Sequence, residues 1–360
     1  MPGLGRDEGS GQQTVALARF ANGQPAGDQA SPERCGRHLG PPGAKHYDFF
    51  DMSLIVPIAS PHPLGNFGAA IIEQELYDYS PIVERPPLDW PNGKRVAFYV
   101  GLNIEHFHLG KRSISISAGS ADLPLDPLNH GWRDYGLRVG IWRIMESLDR
   151  HGMRASVLLN SDVCSRYPQI IKAGRERGWA WLAHGRSNSI LQAGMTPQEE
   201  LAYLNDVVDT IESHTGSRPK GWLGPNASET PETPRILAGL GVDYLLDWSA
   251  DDQPFHLNVP GMMSVPYSFE VNDVRMLGGA VSAAEFSQMV IDQYEQLSKD
   301  SSSGGRVMAL PLHTFISGQP LRAKYLDLAL EFIASQPDVW LTTSDEIASH
   351  YRKVGPAPLL

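Results

Sequence analysis

From Lys94 onward the chain alternates short apolar runs with amphipathic stretches, and this alternation restricts the fold more than any other feature. Arg95–Leu102 (RVAFYVGL), Met153–Asn160, Trp179–His184, Lys220–Leu223, Val242–Trp248, Val307–His313 and Val339–Thr342 read as strands. Helical spacing occupies the segments between them. Tyr135–His151 and Asp162–Arg177 are expected helices, the second with Ser161 as N-cap. Thr196 with Glu199, and Ser282 with Glu285, read as capping boxes that open two long helices. Shorter helices are expected around Pro234–Leu240, over Leu321–Ser335 and over Ser344–Tyr351. About seven strands, each followed by a helix, imply parallel pairing, because a crossover helix returns the chain to the same end of the sheet. A barrel of the (β/α) type and an open doubly wound sheet both satisfy the pattern. No Gly-rich dinucleotide fingerprint follows the first strand, where LNIEHF stands, and this counts against a nucleotide-binding open sheet.

Residues 1–45 stand apart, with 9 Gly and 5 Pro and no sustained periodicity. They read as flexible, residues 53–75 as an irregular arm, and Met52 as an alternative start. The expected organisation is therefore an extension over 1–75, a barrel domain over 76–352 and a tail over 353–360. Charge is 30 basic against 41 acidic residues, net −11, which leaves no basic excess for a nucleic-acid backbone. Two cysteines, Cys35 and Cys164, cannot build a disulfide scaffold, and Cys164 reads as a buried structural thiol. No apolar run is long enough to span a bilayer, and no secretory signal opens the chain. The expectation is a cytoplasmic protein without nucleic-acid or membrane partners.

The candidate site comes from where polar residues fall. Asn103–His106 end the first strand, His184–Asn188 the third and Gly224–Asn226 the fourth; Asp247–Asp252 follow the fifth, and His313 ends a later one. In a parallel barrel these ends open on one rim, where such folds place their chemistry. Each residue also has a plain structural reading: a lone strand-end His is more often a hydrogen-bonded fixture, an Asp pair a cap, and Gly-Pro-Asn a turn. Together, Glu105, His184, Asp252 and His313 suit hydrolysis. Glu105 can take a proton from water, His313 can protonate a leaving nitrogen, and Asp252 can fix a histidine tautomer. There is no G-x-S-x-G elbow.

The stretches SPIVERPPLDWPNGKRVAFYVGLNIEHF, GWRDYGLRVGIWRIMESLDRHGM, AHGRSNS, RPKGWLGP, SVPYSFEVND and LHTFISGQP resemble, in order, the polysaccharide-deacetylase-like (NodB-homology) superfamily. The resemblance covers about 77–352 and implies a distorted (β/α)7 TIM-like barrel. Members that remove N-acetyl groups use an Asp-Asp pair and a His-x-x-x-His pair around a metal. Here Glu105 takes the base position and His106 the second acidic position; His184 matches the first histidine, and Asn188 stands in place of the second. His313 matches the catalytic acid. A metal held by His106 and His184 would be weakly bound, because an amide is a poor zinc ligand. These departures resemble the allantoinase and cyclic-amide hydrolase subgroup. The resemblance implies hydrolysis of a non-peptide C–N bond in a small amide, ureide or ring amide, with no cofactor or a loosely held divalent ion, in a homo-oligomer. The alternatives are a metal-dependent polysaccharide de-N-acetylase and an inactive carbohydrate-binding barrel. His184, Asn188, Trp132, Arg133, Trp222, Asn226 and Trp248 are the expected substrate-contacting residues.

Overall fold

A computed structural model describes residues 74–111 and 113–357. Almost all of the expected extension, including Cys35 and Met52, lies outside the described residues. Nine strands form one sheet: β1 Val96–Ile104, β2 Ala155–Leu159, β3 Ala180–Ala183, β4 Gly221–Trp222, β5 Tyr244–Leu245, β6 Phe255–His256, β7 Met263–Ser264, β8 Arg306–His313 and β9 Val339–Leu341. The order is β6-β7-β5-β4-β3-β2-β1-β8, and β9 pairs with β1. All pairings are parallel except β6 with β7. One edge of β1 carries β8 along residues 96–103, while the other is shared by β9 at 96–98 and β2 at 100–104. The result is a distorted, incompletely closed barrel of the (β/α) kind. The short antiparallel β6–β7 pair was not apparent in the sequence, since two-residue strands carry no periodicity.

The free edge of β8 is covered without a strand. Val307 N–H donates to Asp252 O (2.8 Å), Gly305 N–H to Leu88 O (2.6 Å), and the Trp90 indole to Arg306 O (2.9 Å). A cavity of about 580 Å3 opens along this seam, bordered by Arg85, Asp251, Asp252, Tyr267, Phe269 and Val307 among others.

Period-two alternation sorts the strand side chains into two cores. Val96, Phe98, Val100, Leu102 and Ile104 of β1 pack outward with helix residues such as Ile141, Ile144, Leu204 and Val207. Ala97 and Tyr99 face inward, with Leu158, Leu182, Leu223, Tyr244, Leu246, Val265 and Val307. The odd-numbered positions of β1 therefore look into the barrel, and the same parity leads to Glu105.

The helices are α1 Pro127–Tyr135, α2 Ile141–Arg150, α3 Ser161–Arg166, α4 Pro168–Glu176, α5 Pro197–Thr215, α6 Thr233–Gly239, α7 Ala283–Asp300, α8 Pro320–Ala334 and α9 Ser344–Val354. The capping boxes at Thr196–Glu199 and Ser282–Glu285 both form. Two expected helices change shape. The one over 162–177 is split at Tyr167 because Pro168 has no N–H and bars helical geometry in the residue before it. Its N-cap position is Asn160 rather than Ser161, and no side chain caps the helix. The one over 135–151 is replaced by α1 and α2, joined by a π-helical turn over Gly136–Gly140. The last helix runs to Val354, past the expected boundary at 352. Cys164 is buried and unpaired, and burial pushes its thiol up to about 12.

The π turn sits against the segment after His313. A Cβ on Gly140 would lie 2.1 Å from Thr314 O, a backbone atom that cannot yield. Gly131, in α1, has no heavy atom within 4 Å of such a Cβ. G140A is expected to destabilise by about 1–3 kcal/mol through overpacking, whereas G131A is neutral or stabilises by up to about 1 kcal/mol. Denaturant unfolding of the two variants measures the contrast, and equal stabilities would refute the close approach.

Candidate active site

The end of β1 delivers Glu105 into a buried group of imidazoles. Glu105 Oε1 lies 3.3 Å from His184 Nε2 and 3.7 Å from His313 Nε2. The three residues are 4%, 2% and 8% exposed, so a charge here is stabilised only by its neighbours. Burial opposes ionisation of Glu105. The His313 and His184 imidazoles and the Asn188 amide outweigh it and hold the carboxyl below its ordinary value. His313 retains 11% side-chain exposure against 3% for Glu105, so the imidazole is the more open of the two.

Each member is oriented from behind. His184 Nδ1 donates to Leu223 O (2.6 Å), directing Nε2 at Glu105. His313 Nδ1 donates to Asp273 Oδ1 (2.6 Å), while the His313 backbone N–H and the Ser317 hydroxyl both reach Asp273 Oδ2 at 2.7 Å. Burial works against a charged His313, but Asp273 and Glu105 more than compensate and raise it above the ordinary imidazole value. Asn160, fully buried at the end of β2, ties three strand ends together. Its Oδ1 accepts from the His106 backbone N–H (2.8 Å), and its amide donates to His184 O and to Asn188 Oδ1 (3.1 Å). Under the cluster, Asn103 donates to the Tyr267 hydroxyl and to Leu312 O, both at 3.1 Å. The Tyr267 ring can lie there because Gly101 has no side chain: a Cβ would sit 3.0 Å from the ring.

The structure thus brings together Glu105, His184, Asn188 and His313. Arg133 joins them in part, since it borders a cavity of about 30 Å3 with Glu105, His106, Phe107, His130 and Tyr167. This is room for water rather than substrate. The Arg133 guanidinium donates to Ile114 O (2.7 Å) and lies over the Phe107 ring. Trp132 packs edge-on against Phe315, two residues beyond His313.

Several expected participants lie elsewhere. Asp252 is at the seam, its carbonyl paired with Val307, six residues before His313 on the same strand. At about 3.3 Å per residue that is roughly 20 Å away, so Asp252 cannot fix a tautomer at the site. Asp273 does so instead. Trp222 is fully buried on the helix-facing side of β4, while Leu223, the residue just past the strand, packs in the inner core. It is a core residue and not a substrate wall. Asn226 is exposed in a tight turn with φ 58°. The Trp248 indole donates to Glu229 Oε2 (3.1 Å).

Sequence reasoning missed Asp273, Asn160, Tyr267 and the Asp247–Glu229 pair. SVPYSFEVND and the Asp247–Asp252 run carried Asp273 and Asp247 in plain view, but nothing local assigns either a partner 23 to 44 residues away. Burial pushes Glu229 up to about 7, and burial together with the Glu229 charge raises Asp247 well above its ordinary value. Asp247 Oδ1 accepts from Gly224 N–H (2.7 Å), next to the Leu223 carbonyl that orients His184.

The family positions for a metal do not form a ligand set. His184 Nε2 is directed at Glu105, and the Asn188 carbonyl oxygen accepts from Asn160. His106 borders the same small cavity as Glu105, and burial, with a smaller contribution from the Arg166 charge, lowers its imidazole to about 4. Among the described residues, the His, Cys and acidic side chains close enough to share an ion are His106, His108 and Asp162.

Residues 133–245 match the polysaccharide deacetylase family model. Over this stretch the chain is similar to the polysaccharide deacetylases. A Schizosaccharomyces pombe protein described among these deacetylases is 25% identical over 293 residues, 72% of this chain and 91% of the relative. The PuuE allantoinase structure superposes with a TM-score of 0.70 at 23% identity, over 78% of this chain and all of the other. A probable polysaccharide deacetylase from Pseudomonas aeruginosa gives 0.68 at 23% identity, over 76% and 96%. These likenesses establish the deacetylase-like barrel. Among the described residues no helix is long and apolar enough to cross a membrane.

If Asp273 sustains the raised His313 value, D273N brings the imidazole pKa down toward or below that of a free histidine. Proton NMR titration of His313 reads this directly, and an unchanged value would refute the assignment.

Proposed function

We propose that the protein hydrolyses a non-peptide C–N bond in a small amide, ureide or cyclic amide. The observation that carries this reading is a single Glu105 oxygen lying between His184 Nε2 and His313 Nε2. The deacetylase and allantoinase names of its relatives support the reaction class.

Glu105 is held ionised and acts as general base, taking one proton from water as the water oxygen attacks the carbonyl carbon. His313, kept protonated by Asp273 and Glu105, faces the developing oxyanion and donates its Nε2 proton to the leaving nitrogen. The C–N bond breaks to give an acid and an amine. Glu105 then returns its proton to solvent and His313 regains one. No step is routed through a metal: His184 Nε2 is directed at Glu105, and the Asn188 amide oxygen accepts from Asn160.

The two groups set the pH profile. Rate rises with pH as Glu105 ionises, below the ordinary glutamate value, and falls as His313 loses its proton, above the ordinary histidine value. The plateau is therefore wider than an ordinary glutamate and an ordinary histidine would give. E105Q and H313A are each expected to lose about 10²–10⁴-fold in kcat while remaining folded. An assay panel of cyclic imides, ureides and N-acetyl sugars, with circular dichroism on each variant, provides the measurement. Undiminished turnover in folded E105Q would overturn the mechanism, and turnover confined to N-acetylated oligosaccharides that collapses on chelation would favour the metal-dependent deacetylase.

A further inference from the structure

We propose that His106, His108 and Asp162 bind one divalent ion of the zinc class on the outer face of the β1 end, separate from the Glu105 centre. The placement follows from alternation. Glu105 continues the inward parity of β1 to the His184 and His313 imidazoles, while His106, next in the chain, meets His108 and Asp162. His108 is two residues further on, and Asp162 lies in the first turn of α3. One ligand atom from each lies within 4.8 Å of the other two. His108 Nε2 and Asp162 Oδ2 are 3.3 Å apart, which is about the edge of a tetrahedron with bonds near 2.0–2.1 Å. The His106 and His108 rings meet edge to face with centroids 5.5 Å apart.

The backbone bearing each ligand is fixed. His106 N–H donates to Asn160 Oδ1 (2.8 Å), His108 N–H to Ser189 Oγ (2.9 Å), and Asp162 N–H to Arg186 O (3.1 Å). Arg186 Nε donates to Asp162 Oδ1 (3.1 Å), which occupies one carboxylate oxygen and leaves Oδ2 for the ion. Such outer contacts orient a ligand ahead of binding. His108 and Asp162 keep 33% and 15% side-chain exposure, so an ion can enter and keep solvent in its remaining position. Two imidazoles and one carboxylate suit Zn2+, Co2+ or Ni2+ better than Mg2+ or Ca2+, which prefer all-oxygen sets. Of the family's metal positions, only His106 enters this site.

The inference does not depend on the C–N hydrolase reading, and its test reads binding rather than turnover. Co2+ is titrated into the full chain and its visible d–d absorption followed, with far-UV circular dichroism confirming that each variant folds. One equivalent should bind in the tetrahedral intensity range. H108A and D162N should each weaken binding at least tenfold, while H184Q and N188A leave it unchanged. No stoichiometric binding to the wild type would overturn the proposal. So would binding insensitive to H108A and D162N, or binding lost in H184Q but kept in H108A.

Discussion

A carboxylate that is 4% exposed must be paired, and Glu105 is paired twice through one oxygen. Leaving such a group unpartnered costs about 3–5 kcal/mol, so its neighbours cannot be arbitrary. His184 follows β3 and His313 ends β8, the strands that flank the β2–β1 pair, and each is held from behind by a different acceptor, a carbonyl in one case and a carboxylate in the other. The different acceptors separate their roles. A carbonyl only orients His184, whereas a carboxylate also raises the proton affinity of His313. A carboxyl held below its ordinary value and an imidazole held above its own thus lie side by side.

The packing around the rim serves that pairing. Asn160 satisfies backbone and side-chain groups from the ends of β1 and β3 at once, and because its side chain is spent there, α3 starts without a side-chain cap. The π turn over Gly136–Gly140 lies against Thr314, which follows His313 directly. Departures from regular helix geometry therefore gather behind the site, where close backbone approach is needed more than helix stability.

Strand parity divides the histidines of one short segment between two surroundings. The side chain at position 105 meets the barrel interior and its imidazoles, while those at 106 and 108 meet α3 and Asp162. A single-residue register shift in β1 would exchange the two sets. The mixed segment IEHFH is thus tightly tied to the pairing of β1 with β2 and β8.

The sequence by itself determined the order of strands and helices, the capping boxes and the convergence of Glu105, His184 and His313 on one rim. These rest on local periodicity and on a general property of parallel β/α folds. It did not determine which carboxylate meets His313. Asp252 and Asp273 are both acids in loops following short strands, and only the path of the chain carries Asp252 to the seam and brings Asp273 against the imidazole. It also left open which way Trp222 faces, because a two-residue strand has too few positions to show alternation. Contacts between residues 40 or more apart depend on how the sheet curls, and that curl is set by the packing of the whole barrel rather than by any local stretch.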